Sequence, residues 1–432
     1  MPAALLTAEE AAALVRPVDT VGFGLGPANP HALLRALSAR EDLEDLTLGG
    51  ALLLDLFEVV AKPGVHYRCG FYGPVERYYK ALGADVQLVP AGFRQFAPVL
   101  ERLAPRVMAA QATPPDVDGR MSLSLHFGAT RDALLAAGRD PERVLIVEQN
   151  PALPWTSPLD GFDNTLPVAL ADVLVESAEP LASPPAPLAD EADERIAEHA
   201  LALVDERATL QTGIGAIPSI VATRLAARPG GEYGVHTELL TDGLMALHEA
   251  GKVTNAHKGQ FDGVSVTTFA LGSPALYRWL DRNQAVGFGP VSVVNDPAVI
   301  QRNRRFVSIN GAIQLDLYGQ VVADAVGGRQ ISGVGGHEDF VAGADLETED
   351  RSLVCLRATV EVDGHVRSRI VPALPEGSVV STPRHHTATV VTEFGVADLR
   401  GLTVRERASA LAGIAHPEFR DELARAAARL DA

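Results

Sequence analysis

Cysteine is nearly absent from this chain of 432 residues. Cys69 and Cys355 are the whole complement, so neither a disulfide framework nor a cysteine-built zinc site can be assembled. Two free thiols point to a reducing cytoplasm as the expected location. Aromatic residues are also sparse, at 5%. Basic residues are outnumbered, 37 Lys and Arg against 55 Asp and Glu, for a net charge of -18. That excess argues against nucleic acid or an anionic membrane as partner, because long-range repulsion from phosphates would have to be overcome. A polyanionic ligand would have to be held locally, by loops and helix ends. No apolar run reaches membrane-spanning length. The opening "MPAALLTAEEAAALVRP" is interrupted by Glu9 and Glu10 and has no basic leader, so it reads as an amphipathic helix rather than a signal peptide. Also missing are a G-x-S-x-G elbow, a G-x-x-x-x-G-K-[ST] loop and an H-E-x-x-H helix, each of which would carry its own chemistry. His385 and His386 are adjacent; in a strand they would face opposite ways, so a surface or packing role is expected for them and no metal site.

What is present is a globular composition, 47% hydrophobic and 21% charged, with enough apolar surface for two or three α/β units. Strand and helix patterns alternate from "DTVGFGLGPANPHALLRALSAR" through "EDLTLGGALLL", "ADVQLVPAG", "RVMAAQATPP" and "RVLIVEQNP". Four prolines from Pro180 to Pro187 and an acidic helix start then interrupt the pattern. The alternation resumes in "TLQTGIGAIPSIVATRLAAR", "GVHTELLTDGLMALHEAG" and "VSVTTFALGSPALYRWL". The expectation is an α/β chain of two related domains, 1–185 and 205–432, joined by a linker and helix start at 186–204. Their sheets should be mainly parallel, facing across a cleft, with ligands at the carboxyl ends of the strands.

Three glycine loops could meet a ligand. "GFGLGP", Gly22 to Pro27, departs from a dinucleotide fingerprint because its third glycine comes too early and a proline follows; a tight turn is the better reading. "QTGIGAIPS" sets Gly213 and Gly215 around Ile214, with Pro218 at a helix start, so backbone N–H groups could face an oxygen ligand. Taken alone, a structural strand-to-helix turn remains the stronger reading. "ISGVGGHEDF" holds Gly333, Gly335 and Gly336 beside His337, Glu338 and Asp339, which permits close backbone approach of a bulky ligand. Between the last two loops stands Glu238 in "YGVHTELLTDGL", flanked by apolar residues. By itself it reads as an acidic residue stabilised at a helix N-terminus.

The order of the motifs "QTGIGAIPS", "HTELLTDG", "GKVTN", "NDPAVI", "SINGAIQLDLYGQV", "ISGVGGHEDF" and "VVTEFGVADLRGLTVRERASALAGIAHPEFRDEL" resembles the acetyl-CoA hydrolase/transferase family, class I CoA-transferases akin to 4-hydroxybutyrate CoA-transferase and succinyl-CoA:acetate CoA-transferase. The likeness is dense from Gln211 onward; "NPHALLRAL" and "ATPPDVDGRMSLSL" carry it more loosely before that. It implies that Glu238 is the catalytic nucleophile, which takes the acyl group of an acyl-CoA and then carries CoA as a glutamyl thioester. An ordinary glutamate pKa of about 4.3 is expected to keep it ionised. It further implies an oxyanion hole from the N–H groups of Ile214 and Gly335, and CoA contacts from Gly213, Gly215, Ala216, Ile217, Pro218, Ser219, Gly333, Val334 and Gly336. Asn310, Ala312 and Gln314 would line the acyl pocket. Expected partners are an acyl-CoA, a small carboxylate and a second copy of the chain in a homodimer, with coenzyme A as substrate and covalent intermediate and no tightly bound cofactor. Acyl-CoA hydrolysis at the same glutamate is the alternative activity, and a silent CoA-binding protein a more distant one. The likeness breaks at "STPRHHTATVVTEFG" and "PWTSPLDG", where relatives usually show "SRTDVHYVVTEYG" and "PRTHGD"; substrate choice is least constrained there.

Overall fold

The structure is a computed structural model that describes residues 3–185, 188–344 and 346–430. It divides into two compact units, Met1–Pro184 with Val266–Val294 and Pro185–Ser265 with Asn295–Ala432.

In the first unit eight strands form one parallel sheet: β1 (Ala4–Leu6), β2 (Val18–Phe23), β3 (Asp45–Gly50), β4 (Val65–Cys69), β5 (Asp85–Leu88), β6 (Val107–Ala112), β7 (Val144–Gln149) and β8 (Val173–Glu176), in the order β1-β8-β7-β6-β2-β3-β4-β5. The near-continuous apolar strands, such as β6 with every residue buried, are those of a sheet covered on both faces. The strand order reverses between β2 and β6. There a 3-10 turn, Gly26–Ala28, follows β2, and a Cβ on Gly24 would collide with that of Ala28. "GFGLGP" is therefore a tight turn. The opening segment is not a single helix. Ala4–Leu6 pairs with Val173–Val175, and Thr7 then caps a six-residue helix, Ala8–Ala13, in a reciprocal box with Glu10, which confines the helix to the second half of the segment.

Residues 266–294 lie with this first unit, although the sequence pattern groups them with the second. The physical reason is a run of backbone bonds: Gly128 N–H to Thr268 O (3.1 Å), Phe288 N–H to Ser157 O (2.9 Å), Leu159 N–H to Phe288 O (2.9 Å) and Arg282 N–H to Trp155 O (2.8 Å). At Gly128 a Cβ would run into the Thr268 side chain.

The second unit holds a six-stranded sheet: β9 (Thr209–Thr212), β10 (Gly234–Val235), β11 (Phe306–Gly311), β12 (Arg351–Cys355), β13 (Thr389–Thr392) and β14 (Gly395–Asp398), in the order β10-β9-β11-β12-β13-β14. All pairs are parallel except β13 with β14. Both units are thus α/β with mainly parallel sheets. Helices α1 (Ala216–Ala227) and α2 (Asp242–Glu249) follow β9 and β10 and pack closely because Gly243 has no side chain: a Cβ there would stand 2.8 Å from that of Ala222. Helix α3 (His337–Gly343) approaches the short helix Pro297–Ile300 in the same way, through Gly343. Among the described residues no helix is long and apolar enough to cross a membrane.

Candidate active site

Glu238 lies just beyond β10, in a segment fixed from both sides. His236 N–H bonds Leu210 O at 3.0 Å, and the Thr237 hydroxyl donates to Thr212 O at 3.2 Å. The end of β9 and the glycine loop that follows it are thereby joined to the residue preceding Glu238. Val235 is clamped at both polar groups. Its N–H donates to Asn255 Oδ1 (2.9 Å) and its carbonyl accepts from Lys258 Nζ (3.0 Å), which also bonds Val264 O (2.7 Å). Lys258 is fully buried, and that burial pulls its ammonium down to about 7. The ring of His236 packs among Phe261, Phe306 and Phe340, with centroids 6.3 to 6.4 Å away. Since Phe340 belongs to α3, the segment leading to Glu238 and this helix share one apolar cluster.

α3 is what meets the carboxylate. The Gly336 N–H donates to Glu238, and a Cβ on Gly336 would overlap Glu238 Oε2 and Asn295 Nδ2, so only glycine allows this approach. Asn295, fully buried, donates from Nδ2 to Glu238 Oε2 at 2.6 Å and to Asp339 Oδ2 at 3.5 Å. It directly precedes Asp296, whose side chain caps the helix Pro297–Ile300. The rest of the first turn of α3 is tied to the segment 382–386. His337 Nε2 lies 2.9 Å from Thr382 Oγ1, that hydroxyl donates to Glu338 Oε2 at 2.9 Å, and His386 Nδ1 lies 2.5 Å from Glu338 Oε1. His385 and His386 thus sit in a turn, not a strand, with their rings packed edge to face 4.5 Å apart.

The expectation of an ordinary pKa for Glu238 is overturned. Burial raises it to about 7; the Asn295 bond opposes the rise, the nearby Asp339 charge adds to it, and the Gly336 bond opposes it again. The residue as a whole is half-buried. The helix-dipole alternative also fails, because α2 starts at Asp242 behind Thr241, leaving Glu238 outside its first turn.

Beside β9 and β11, Ile214, Gly215, Ala216, Ile217 and Pro218 line a pocket of about 260 Å³ together with Asn310, Ala312 and Arg369. Gly215 adopts φ 135° as the N-cap of α1, so the turn leaves the first N–H groups of that helix without helical partners. Ile214 stands out at 63% exposure, an apolar residue offered to solvent or ligand. Asn310 is held by Gln211 and Ser308. Gln314 does not line this pocket; it lies on the short strand Gln314–Asp316, opposite Val322. Gly335, at φ 57°, turns the chain so that its neighbour Gly336 becomes the donor to Glu238. Asn295 and Asp339 escaped the reading of the sequence as site residues, although both lie in the quoted motifs "NDPAVI" and "GHEDF"; no spacing rule aims those side chains at position 238.

Residues 272–427 match the acetyl-CoA hydrolase/transferase C-terminal domain. A probable butyrate:acetyl-CoA coenzyme A-transferase of Syntrophomonas wolfei is 34% identical over 434 residues, covering 99% of this chain and 95% of the relative. This chain belongs to the acetyl-CoA hydrolase/transferase family. Other members are similar too. A 4-hydroxybutyrate coenzyme A transferase of Clostridium kluyveri is 38% identical over 335 residues, 78% of this chain and 74% of that one. The crystal structure of RipA from Yersinia pestis matches this family member with a TM-score of 0.88 at 32% identity, over 98% of this chain and 97% of that chain.

Proposed function

We propose that this enzyme moves CoA from a short-chain acyl-CoA to a carboxylate acceptor such as acetate by a ping-pong reaction at Glu238. The observation that carries the reading is the carboxylate itself, held by the Asn295 amide and the Gly336 N–H next to the segment that ends at the glycine loop of β9. In the first half-reaction a Glu238 oxygen attacks the thioester carbonyl, the C–S bond breaks, and CoA leaves as thiolate. The product is an acyl-glutamyl anhydride. The thiolate then attacks the glutamyl carbonyl, the donor acid departs as carboxylate, and a glutamyl-CoA thioester remains. The acceptor carboxylate reverses both steps, leaving as acyl-CoA and restoring Glu238.

Burial assists this chemistry because the attacking charge leaves the partly desolvated carboxylate as the bond forms. The tetrahedral oxyanions need N–H donors. Ile214 and Gly335 are proposed for that role, where removing one such donor costs about 3 to 4 kcal/mol of barrier. The loop Gly213–Ser219 and the loop Gly333–Gly336 are proposed to run along CoA, which gives an acidic protein local contacts for a polyanion. Relatives named for butyrate and 4-hydroxybutyrate support a short acyl chain. Hydrolysis differs only in water capturing the intermediate, so turnover with and without acetate distinguishes the two. The deciding experiment is incubation with acyl-CoA, borohydride reduction and peptide mass spectrometry. A glutamyl thioester appears as a reduced residue at position 238, and reduction elsewhere or nowhere sinks the reading.

A further inference from the structure

We propose that Asp339 is a positioning residue for Glu238: it occupies the second hydrogen-bonding place on the Asn295 amide and, as a like charge, sets how readily Glu238 gives its negative charge to an acyl group. The inference rests on the reading of Glu238 as nucleophile. Its basis is geometric. One buried amide nitrogen serves both carboxylates, at 2.6 Å and 3.5 Å, and Asp339 stands in the first turn of the helix whose preceding residue, Gly336, also bonds Glu238.

Several other charged and titratable groups around the site have partners of their own. Glu338 is bonded to His386 and Thr382, and His337 to Thr382. Burial holds His337 down to about 4, hence neutral. Asp296 caps its own short helix, and His236 faces Asn303 and three phenylalanines. The Asp339 charge acts on Glu238 and disfavours its ionised form. Repulsion between the two anions exists while Glu238 is a free carboxylate. It vanishes once the glutamate is acylated or carries CoA, because the ester-like group is neutral. The pair therefore favours both covalent forms over the resting enzyme and raises the pH at which the resting nucleophile ionises.

The test is Asp339→Asn, which keeps an oxygen for the Asn295 amide and removes the charge, with Asp339→Ser as a second uncharged variant. The pH profile of kcat/KM for transfer from butyryl-CoA to acetate is measured alongside borohydride trapping. The expected result is an acid limb displaced to lower pH by roughly half a unit or more, with a smaller fraction of enzyme trapped as thioester at steady state. An acid limb at the wild-type position in both variants overturns the proposal. So does failure of both variants to fold, which would assign Asp339 to the fold alone. Wild-type trapping keeps the two readings apart: no thioester at Glu238 defeats the nucleophile, whereas a thioester with an unmoved limb defeats only the role of Asp339.

Discussion

At the scale of single residues, the proposed reaction rests on one carboxylate and the few atoms that hold it. Glu238→Ala removes the only group that can carry acyl or CoA in this mechanism, so transfer should disappear while the fold and CoA binding persist; calorimetric CoA titration and a transfer assay check both halves. Glu238→Asp keeps the charge but withdraws the oxygens by one methylene, and a loss on the order of a hundredfold in kcat is expected. With Glu238 raised to about 7 and active when ionised, kcat/KM should climb with pH through neutrality and level off above it. Asn295→Ala removes a bond that favours the charged form, so the same limb should move to higher pH. That direction is opposite to the one expected for Asp339→Asn.

At the scale of elements, buried carboxylates fasten helices to the first sheet. Glu148, at the end of β7, accepts from the N–H groups of Ala32 (3.1 Å) and Leu33 (2.7 Å) in the first turn of helix His31–Ser38. Glu76 accepts from Leu53 (2.7 Å) and from Gly73 (2.9 Å), which caps the helix Pro74–Ala81. Burial raises each to about 7. A carboxyl whose folded pKa exceeds its unfolded value binds more protons when folded, so its contribution is greatest below about 4.5 and is lost as pH rises through 7. Glu148→Gln should flatten that decline in urea melts between those limits. It should also cost about 1 to 3 kcal/mol, because the amide NH2 must face an N–H donor.

At the scale of the whole molecule, the chain leaves the first unit at 184, returns to it for 266–294 and leaves again. A fragment ending at Pro184 lacks the segment that supplies the partners of Gly128, Ser157 and Leu159. It should be less stable than the same region in the full chain and prone to aggregate, and circular dichroism melts of the fragment against the intact protein decide this. An isolated 1–184 that melts as the intact chain does would refute the assignment of 266–294.

Local pattern carried the parallel α/β architecture and the tight turn after β2, and the resemblance in the order of the motifs carried the family and drew attention to Glu238. The architecture and the turn are written in neighbouring residues, as hydrophobic period and turn chemistry. Asn295 and Asp339 reach Glu238 across 57 and 101 positions of sequence, and the return of 266–294 to the first unit depends on hydrogen bonds to residues more than a hundred positions away. The raised pKa of Glu238 likewise depends on distant residues, since the second carboxylate that adds to it comes from α3. Sequence could single out Glu238, but only the folded chain decides what surrounds it, because desolvation and charge act through space and not along the backbone.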